Sequence, residues 1–457
     1  MASVEEVNQL ALMAAAGIVG EEAAEKLQTR VAITTSDAPG CIRLAKYTRE
    51  LLERTLKVVD GESADIDVII GTSGGTSAPV AIGVTLKHDT VSFGLPSDVT
   101  DPDPGEPESP NLLLKIAACY LAGYVVTKTI SSARFEGIPI PFVVSADVLG
   151  LNSADLNRKI VFDGESVLVG AGGVANGFLW ALEDMEVCGR LHIVDPKVVA
   201  QSNLNRCLYF TESDIGSSKV LVLEAKALQG KVDLVPHQGD FKALVHELGK
   251  VRRAYTTVDS RRVRRAIRGE LPLEILDAST TDISEVVVFS ERQPTSSACL
   301  SCIYAHIPVE NEREKEIASA LGLELQEVRQ QFVDELLAKK LAALHPTLDV
   351  QKIQGMALDS LFREMCGAGT LLTAAGQQAL APLGFISNLA GCLLALELFK
   401  FDRAVEHNPR YNYMALDPWR PPHRRARIHK AAKPDCAFCS KEFFKKGLRD
   451  LWGEPLP

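Results

Sequence analysis

A chain of 457 residues has room for two or three domains and a large core. Its hydrophobic share of 46% and charged share of 24% are ordinary for a globular protein, and its formal net charge of −10 argues against nucleic acid as the main partner. The acidic start MASVEEVNQL lacks the basic region of a signal peptide, and Lys115 and Lys128 interrupt the most apolar run. We therefore expect a cytoplasmic protein that does not span a membrane.

The first part of the chain predicts a mixed α/β segment. Residues 1 to about 35, rich in Ala, Leu and Glu, predict helix, and CIRLAKYTRELLERTLKVV predicts a second helix. The sequence IDVIIGTSGGTSAPVAIGVTL predicts two strands around a glycine turn. A buried apolar helix over 111–130 and a strand in IPFVVSAD complete a segment of about 150 residues.

From residue 160 to 300, strand-like and helix-like segments alternate, beginning with SVLVG and RLHIVD. Such alternation predicts a doubly wound sheet of parallel strands. The stretch from 310 to about 370 is helical and charged, like an insert, before apolar helix returns in FISNLAGCLLALELFKF. The predicted fold class is α/β, with a Rossmann-like domain that carries a helical insert.

A glycine turn marks a candidate nucleotide site. In GAGGVA, Gly170, Gly172 and Ala175 fit the G-x-G-x-x-G/A fingerprint, in which glycines let backbone N–H groups approach a phosphate at a helix N-terminus. Asp195 ends the next predicted strand and is placed to accept a hydrogen bond from a ribose hydroxyl. These residues alone do not separate NAD binding from ATP binding.

Charged residues further along favour ATP. Asn203 and Arg206 follow Asp195 closely, Lys219 starts a predicted helix, and Asp259 ends another predicted strand. Hydride transfer has no need for such a set. Attack on an α-phosphate does need it, because cations neutralise the developing charge and a carboxylate can hold Mg²⁺.

Together these residues resemble the ubiquitin-activating-enzyme superfamily, which includes the ThiF/MoeB-like adenylyltransferases of thiamine and molybdopterin biosynthesis. Its pattern is a G-x-G-G-x-G loop, an aspartate, an S-N-L-x-R segment, a lysine, and an aspartate usually followed by Asn. The matching residues here are Gly170, Gly172, Gly173, Asp195, Ser202, Asn203, Leu204, Arg206, Lys219 and Asp259. Ala175 replaces the last glycine and Ser260 replaces the usual Asn, and neither change removes a charged group.

The resemblance implies a role for each of these side chains. Asp195 would bind the ribose of ATP, while Asn203, Arg206 and Lys219 would contact its phosphates. Asp259 would organise Mg²⁺. The acceptor would be the C-terminal glycine carboxylate of a ubiquitin-like protein, giving an acyl-adenylate and pyrophosphate.

Arg49 in KYTRELL resembles the family's Y-x-R-Q arginine, which reaches ATP from a neighbouring domain or subunit. Glu50 stands in place of the family's Gln. The alternative interpretation of Arg49 is an exposed helical arginine, and the sequence leaves both open.

Two C-x-x-C pairs predict a structural metal site. Cys299 and Cys302 form one pair, and Cys436 and Cys439 form the other. Four thiolates are the number that a tetrahedral Zn²⁺ requires, and the superfamily often carries such a zinc knuckle. Zn²⁺ is therefore expected here with a structural role.

Cys366, in FREMCGAGT at the end of the insert, is the candidate nucleophile. Superfamily enzymes that form thioesters keep their nucleophilic cysteine in this crossover segment, so the resemblance assigns that role to Cys366. Neighbouring glycines would allow the segment to move, and Arg363 would favour the thiolate.

The resemblance also implies a domain organisation. Residues 1–155 would form an inactive adenylation-like domain, and residues 156–457 the active adenylation domain with its cysteine-bearing insert at 310–370. The arrangement resembles the compact activating enzymes of bacterial ubiquitin-like conjugation operons. The expected partners are a ubiquitin-like protein and a ubiquitin-conjugating-like enzyme, and the expected assembly is either a monomer with two pseudo-repeat domains or a homodimer.

Three alternatives remain open at this point. The first keeps the adenylation step but transfers sulfur to a small carrier protein, which would need only a short crossover loop rather than the long insert. The second is an inactive nucleotide-binding scaffold, which would be free to lose Lys219 or Asp259. The third is an NAD oxidoreductase.

Overall fold

The computed structural model describes most of the chain, and the following concerns those residues alone. They are 4–16, 18–60, 63–73, 75–103, 105, 107–130, 138–150, 158–281, 285–305, 308–330, 332–367, 383–403 and 411–453. The side chains of a few helical residues, Cys366 among them, lie outside this description. The expected domain boundary at 155/156 also falls outside it, between 150 and 158.

The first part of the chain builds a six-stranded sheet. Its strands are β1 Arg30–Thr35, β2 Lys57–Val59, β3 Ile66–Ile70, β4 Val80–Lys87, β5 Thr90–Gly94 and β6 Phe142–Ser145. Its helices are α1 Val4–Ala16, α2 Gly20–Leu27, α3 Pro39–Leu52, α4 Asn111–Thr129 and α5 Ala146–Leu149. The strand order is β2-β1-β3-β4-β5-β6, with the first four strands parallel and the last two antiparallel.

Two sequence-based expectations for this part were wrong. Residues 30–35 were expected to be helical but form β1, and residues 57–59 at the end of the expected second helix form β2. The reason for β1 is that RVAITT is rich in β-branched residues and pairs on both sides, with β2 and β3. The buried apolar helix expected over 111–130 is confirmed as α4.

The second part builds an eight-stranded sheet in the order β14-β13-β12-β11-β10-β7-β8-β9. Its strands are β7 Ile160–Val169, β8 Val187–Val194, β9 Val232–His237, β10 Arg253–Thr256, β11 Glu274–Thr281, β12 Glu285–Arg292, β13 Tyr413–Leu416 and β14 Arg427–Ile428. The neighbouring strands β9, β8, β7, β10 and β11 run parallel to one another, which confirms the doubly wound sheet. The strand order reverses between β7 and β10, where such sheets bind their ligands.

Twelve helices belong to this second part. They are α6 Gly173–Glu183, α7 Lys219–Lys226, α8 Phe241–Leu248, α9 Arg261–Gly269, α10 Leu300–Ile303, α11 Pro308–Leu321, α12 Leu325–Arg329, α13 Glu335–Leu344, α14 Val350–Ile353, α15 Leu358–Gly367, α16 Gly384–Arg403 and α17 Glu442–Trp452. Helices α11 to α15 form the expected insert, with a small apolar core of their own that includes Leu321, Val328 and Phe362.

The two sheets share one topology. The order β2-β1-β3-β4-β5-β6 corresponds to β8-β7-β10-β11-β12-β13, and in both sheets four parallel strands are followed by two antiparallel ones. Helix α3 follows β1 as α6 follows β7, and α4 lies between β5 and β6 in the chain as α16 lies between β12 and β13. The first part is therefore a shorter topological copy of the second.

One buried apolar cluster joins the two parts. It contains Val31 of the first sheet, Leu168 of the second, and residues of α4 and α16. Gly123 of α4 allows close packing, since a Cβ there would lie 3.1 Å from the ring of Phe385 in α16. By composition α4 and residues 384–401 of α16 could cross a membrane, but 94% and 89% of these segments are buried in the fold. They are the core helices of this interface.

Candidate active site at the switch point of the second sheet

The glycine turn lies where the strand order reverses. Gly170 has φ +97°, a conformation that favours glycine, and a Cβ there would lie 3.1 Å from the Oγ1 of Thr257. Thr257, which follows β10, donates hydrogen bonds to the carbonyls of Val169 and Gly170 at 3.0 and 3.1 Å. A Cβ on Gly172 would meet open space, so the start of α6 is accessible to a phosphate.

Asp195 holds the turn. Its Oδ2 accepts a 2.7 Å hydrogen bond from the backbone N–H of Ala171, and its Oδ1 accepts a 2.8 Å hydrogen bond from the backbone N–H of Lys197. The carboxylate is largely buried and follows β8 directly, as predicted. It thus fixes the glycine loop and lies at the edge of the sheet where a ribose is expected.

The segment after Asp195 brings a cation to the helix start. Arg206 lies against Gly173, whose Cβ position is 3.1 Å from the Cγ of Arg206. Its guanidinium donates to the carbonyl of Ser202 at 2.6 Å and to the Oδ1 of Asn205 at 3.0 Å. The side chain of Asn203 accepts from the N–H of Ala200 at 3.0 Å, so it caps its own turn.

Lys219 begins α7, as predicted, and is buried. The pKa of the Cys207 thiol is affected by the charged side chains of this site. Burial raises its pKa, while the positive charges of Arg206, Lys219 and Arg54 act to lower it and Asp195 acts to raise it. The fully buried thiol is therefore near enough to all four charged groups to be affected by them.

The second aspartate, Asp259, contacts the insert. Its Oδ1 accepts a 3.0 Å hydrogen bond from the Oγ of Ser360, and the adjacent Ser260 donates at 2.8 Å to both carboxylate oxygens of Asp359. Asp359 and Ser360 lie in the first turn of α15, the helix that ends with Cys366 and Gly367. The departure from the family pattern at Ser260 thus serves the docking of this helix.

Arg49 lies at a surface of the first part of the chain. It pairs with Glu53 and Asp60, and its side chain is about a third exposed, at 32%. Its neighbour Glu50 accepts a 3.0 Å hydrogen bond from the indole of Trp180 in α6, and burial raises its pKa. The reach of Arg49 to ATP stays a prediction.

Sequence reasoning missed several residues that support the site. Thr257, Ser360 and Asn388 make their contacts through uncharged side chains that occur throughout the chain, so no pattern distinguishes them. Asn388 of α16 donates to the carbonyls of Gly384 and Arg206 at 2.8 and 3.3 Å. Helices α6 and α16 pack closely, since a Cβ on Gly177 would lie 2.6 Å from the Cα of Asn388.

At the switch point of the first sheet, between β1 and β3, the described residues pack closely around Gly71. Gly71 follows β3 with φ +59°, and a Cβ there would lie 3.1 Å from the Oγ of Ser36 and 3.3 Å from the ring of Pro102. The thiol of Cys41 fills the remaining side of this position. Helix α3 begins at Pro39, without the glycine turn that precedes α6.

The four cysteines of the two C-x-x-C pairs lie close together, one pair at α10 and the other just before α17. The sulfur atoms of Cys299 lie 3.7 Å from Cys302 and 3.6 Å from Cys436, and those of Cys302 and Cys439 are 3.5 Å apart. All four lie within 4.8 Å of one another. With Zn–S bonds of about 2.3 Å, a tetrahedron has edges of about 3.8 Å, so these four residues fit Zn²⁺.

A parallel sheet with a glycine turn, an aspartate and cations at its switch point defines a nucleotide-binding Rossmann-like domain. The model of the ThiF family matches residues 152–438, which is more than half of the chain. The chain therefore belongs to the ThiF family and is an adenylyltransferase of that type. The resemblance to the ubiquitin-activating-enzyme superfamily is confirmed.

Individual relatives are distant. The uncharacterized protein y4jF of Sinorhizobium fredii (strain NBRC 101917 / NGR234) is 25% identical over 367 residues, which cover 74% of this chain and 70% of that protein. Among solved structures, E. coli MccB with ATP has 12% identity, covering 78% of this chain and 97% of that chain, with a TM-score of 0.39. PaaA has 15% identity, covering 58% and 71%, with a TM-score of 0.30.

Proposed function

We propose that this protein activates the C-terminal carboxylate of a ubiquitin-like protein with ATP, takes the acyl group onto Cys366, and passes it to a conjugating enzyme. The observation that carries the proposal is the contact between Ser360 and Asp259. It ties the helix that ends near Cys366 to the aspartate expected to organise Mg²⁺. With a helical rise of 1.5 Å per residue, Ser360 and Cys366 are about 9 Å apart along α15.

In the first step, the phosphates of ATP lie at the N-terminus of α6, where Arg206 and Lys219 offer positive charge. A carboxylate oxygen of the acceptor attacks the α-phosphorus. A new P–O bond forms while the bond to pyrophosphate breaks, and pyrophosphate carries away the electron pair. Mg²⁺ bound by Asp259 would neutralise phosphate charge during this step.

In the second step, the thiolate of Cys366 attacks the carbonyl carbon of the acyl-adenylate. The thiol proton has passed to water before the attack, and the C–S bond forms as the C–O bond to AMP breaks, with AMP taking the electron pair. AMP is a good leaving group because its phosphate delocalises the departing electron pair over several oxygens and is therefore a weak base. The acceptor protein is then held as a thioester.

The insert favours conjugation over sulfur transfer. It has its own apolar core, and the guanidinium of Arg262 in α9 fixes it by pairing with Glu314 of α11 at 3.3 Å and donating to the carbonyl of Val328 at 3.2 Å. A sulfur-transfer enzyme would need only a short crossover loop. A folded unit docked on the adenylation site supports a second chemical step there.

The proposal assigns the first part of the chain, residues 1–155, to an inactive adenylation-like domain. Its sheet repeats the topology of the second, and Ser36, Cys41 and Pro102 pack closely around Gly71, the residue that follows β3 at its switch point. Helix α3 begins at Pro39, without the glycine turn that precedes α6. The remaining role of this domain is to support the second site.

The test separates the two steps. Exchange of labelled pyrophosphate into ATP is measured with ubiquitin-like proteins that end in glycine, and a covalent adduct is sought on gels with and without reducing agent. The proposal predicts exchange that depends on the acceptor and an adduct that reducing agent cleaves. Exchange with no adduct would leave adenylation without the thioester step and overturn the role of Cys366, and binding of NAD in place of ATP would overturn the adenylation proposal.

A further inference from the structure

A single guanidinium from the first part of the chain holds the segment that carries Arg206. Arg54, just after α3, donates to the carbonyls of Leu204 at 3.0 Å, Phe210 at 3.1 Å and Leu208 at 2.5 Å. The side chain is half-buried, and burial lowers the pKa of the guanidinium. A planar guanidinium can donate to three carbonyls at once, and no other type of side chain can reproduce this set of hydrogen bonds.

Arg54 is itself held in place by its own part of the chain. The side chain of Asn8 in α1, which is 4% exposed, donates a 2.8 Å hydrogen bond to the carbonyl of Arg54. Nearby, Tyr47 of α3 donates to Asp184 at 2.8 Å across the same interface. The guanidinium therefore extends from a fixed backbone into the nucleotide domain.

The segment it contacts has little regular structure to hold it. Between residues 204 and 210 the chain forms turns only, so its carbonyls need partners from elsewhere. Arg54 supplies three of these contacts, and Asn388 supplies one at the carbonyl of Arg206. The location of the Arg206 side chain, whose Cγ lies 3.1 Å from the Cβ position of Gly173, depends on the path of this backbone.

We propose that Arg54 is a positioning residue through which the first domain completes the nucleotide site within the same chain. This inference rests on the proposed function, because it concerns the phosphate-binding segment of that site. Arg54 makes no contact with the nucleotide in this proposal; it acts through the backbone that places Asn203 and Arg206. One chain is then sufficient for a complete site.

Direct binding of ATP with Mg²⁺ to the full chain, measured by titration calorimetry, tests the inference without a known acceptor. Arg54→Gln should weaken binding by about tenfold, the equivalent of one lost charge-assisted hydrogen bond. Arg54→Lys should give an intermediate affinity, since an ammonium group does not span three carbonyls. The matched control is Arg43→Gln in α3, because Arg43 pairs with Glu108 at the surface. This variant should bind ATP as the unchanged chain does.

Chemical rescue separates positioning from a general loss of structure. Guanidinium ion, added far below the concentration that unfolds the chain, should partly restore ATP binding to Arg54→Gln, and methylammonium should not. Unchanged affinity in Arg54→Gln, wild-type affinity in Arg54→Lys, or weak binding that guanidinium does not improve would each overturn the inference. If the unchanged chain binds no ATP, the proposed function fails instead.

A mixing experiment tests the single-chain arrangement. Arg54→Gln and Lys219→Ala chains are combined and titrated with ATP and Mg²⁺. If each site is built within one chain, the mixture binds as the average of its components. Recovery of high-affinity sites on mixing would mean that Arg54 acts across two chains and would overturn the proposal.

Discussion

Ser360 donates a hydrogen bond of 3.0 Å to Asp259, although the two residues are 101 positions apart in the chain. The neighbouring residues form a second such contact, in which Ser260 donates to the carboxylate of Asp359. Two Asp–Ser dipeptides thus join the end of β10 to the first turn of α15. The adenylation site and the insert are coupled at this point.

Replacement of Ser360 by Ala removes one of these hydrogen bonds and loosens the start of α15. We expect pyrophosphate exchange to persist and thioester formation in a single turnover to slow by about fivefold, as for the loss of about 1 kcal/mol. Rapid-quench gels measure the second rate. Ser319→Ala on the exposed side of α11 is the control, and an equal slowing in that variant would contradict this account.

Asp259→Ala should abolish pyrophosphate exchange, because the carboxylate expected to organise Mg²⁺ is removed. The fold should remain, since Ser260 and Asp359 still join β10 to α15. Circular dichroism and the thermal midpoint check the fold, and labelled pyrophosphate checks the activity. Full exchange in this variant would remove Asp259 from the proposed mechanism.

The interface between the two parts of the chain contains a buried ion pair. Lys115 of α4 is fully buried and lies 2.7 Å from the carboxylate of Asp184. Burial alone would raise the pKa of Asp184, but Lys115 and a hydrogen bond from Tyr47 hold it below its usual value of 3.8. A carboxyl with a lowered pKa in the folded state stabilises the protein above that usual value, and this stabilisation is lost as the pH falls through the folded pKa.

Asp184→Asn should therefore lower the free energy of unfolding by about 2 kcal/mol at neutral pH, because Lys115 stays buried without its counter-ion. The difference from the unchanged chain should shrink as the pH falls below about 4. Denaturant titrations at several pH values measure it. Asp233→Asn, whose pair with Arg190 is exposed, should show almost no effect.

The local chemistry of the site could be predicted from the sequence, whereas its tertiary contacts could not. The glycine turn at Gly170 and the cysteine pairs are recognisable because their residue types and spacings are fixed by phosphate and metal geometry. Arg54 contacts a residue 150 positions away, and nothing in its local sequence indicates that contact. Contacts of this kind depend on the tertiary packing of α3 against α6.

The repeated topology was expected from the family resemblance, but no residue pattern in the first part of the chain indicated it. Both sheets use short apolar strands, and apolar strands resemble each other in any α/β protein, so β1 and β7 show no specific likeness. Strand β1 was taken for helix because it follows two Ala-rich helices, and its partners β2 and β3 lie well beyond it in the chain. Strand pairing, rather than local preference, decides the structure there.

The purified protein should carry about one Zn²⁺ per chain, held by the four cysteines of the two C-x-x-C pairs. Cys436→Ser should release the metal and lower the thermal midpoint, because metal-binding energy contributes to folding energy. Elemental analysis and thermal unfolding measure both. The control is Cys188→Ser on β8, outside the four-sulfur cluster, which should keep its metal; zinc-free wild-type protein would contradict the assignment.

Two cysteines compete for the role of nucleophile, and the structure separates their expected behaviour. Cys207 is fully buried next to the nucleotide segment, and burial raises the pKa of its thiol, which disfavours the reactive thiolate. Cys366 lies in the last turn of α15, the helix docked on Asp259. Cys366→Ala should therefore keep pyrophosphate exchange and lose the adduct that reducing agent cleaves.

Cys207→Ala serves as the matched variant. It should keep the adduct while lowering stability, because it removes a buried side chain from the core. Exchange assays and non-reducing gels on both variants, with the same ubiquitin-like protein, distinguish the two cysteines. An adduct that survives in Cys366→Ala and disappears in Cys207→Ala would assign the nucleophile to Cys207. An adduct absent from the unchanged enzyme as well would leave adenylation as its whole reaction.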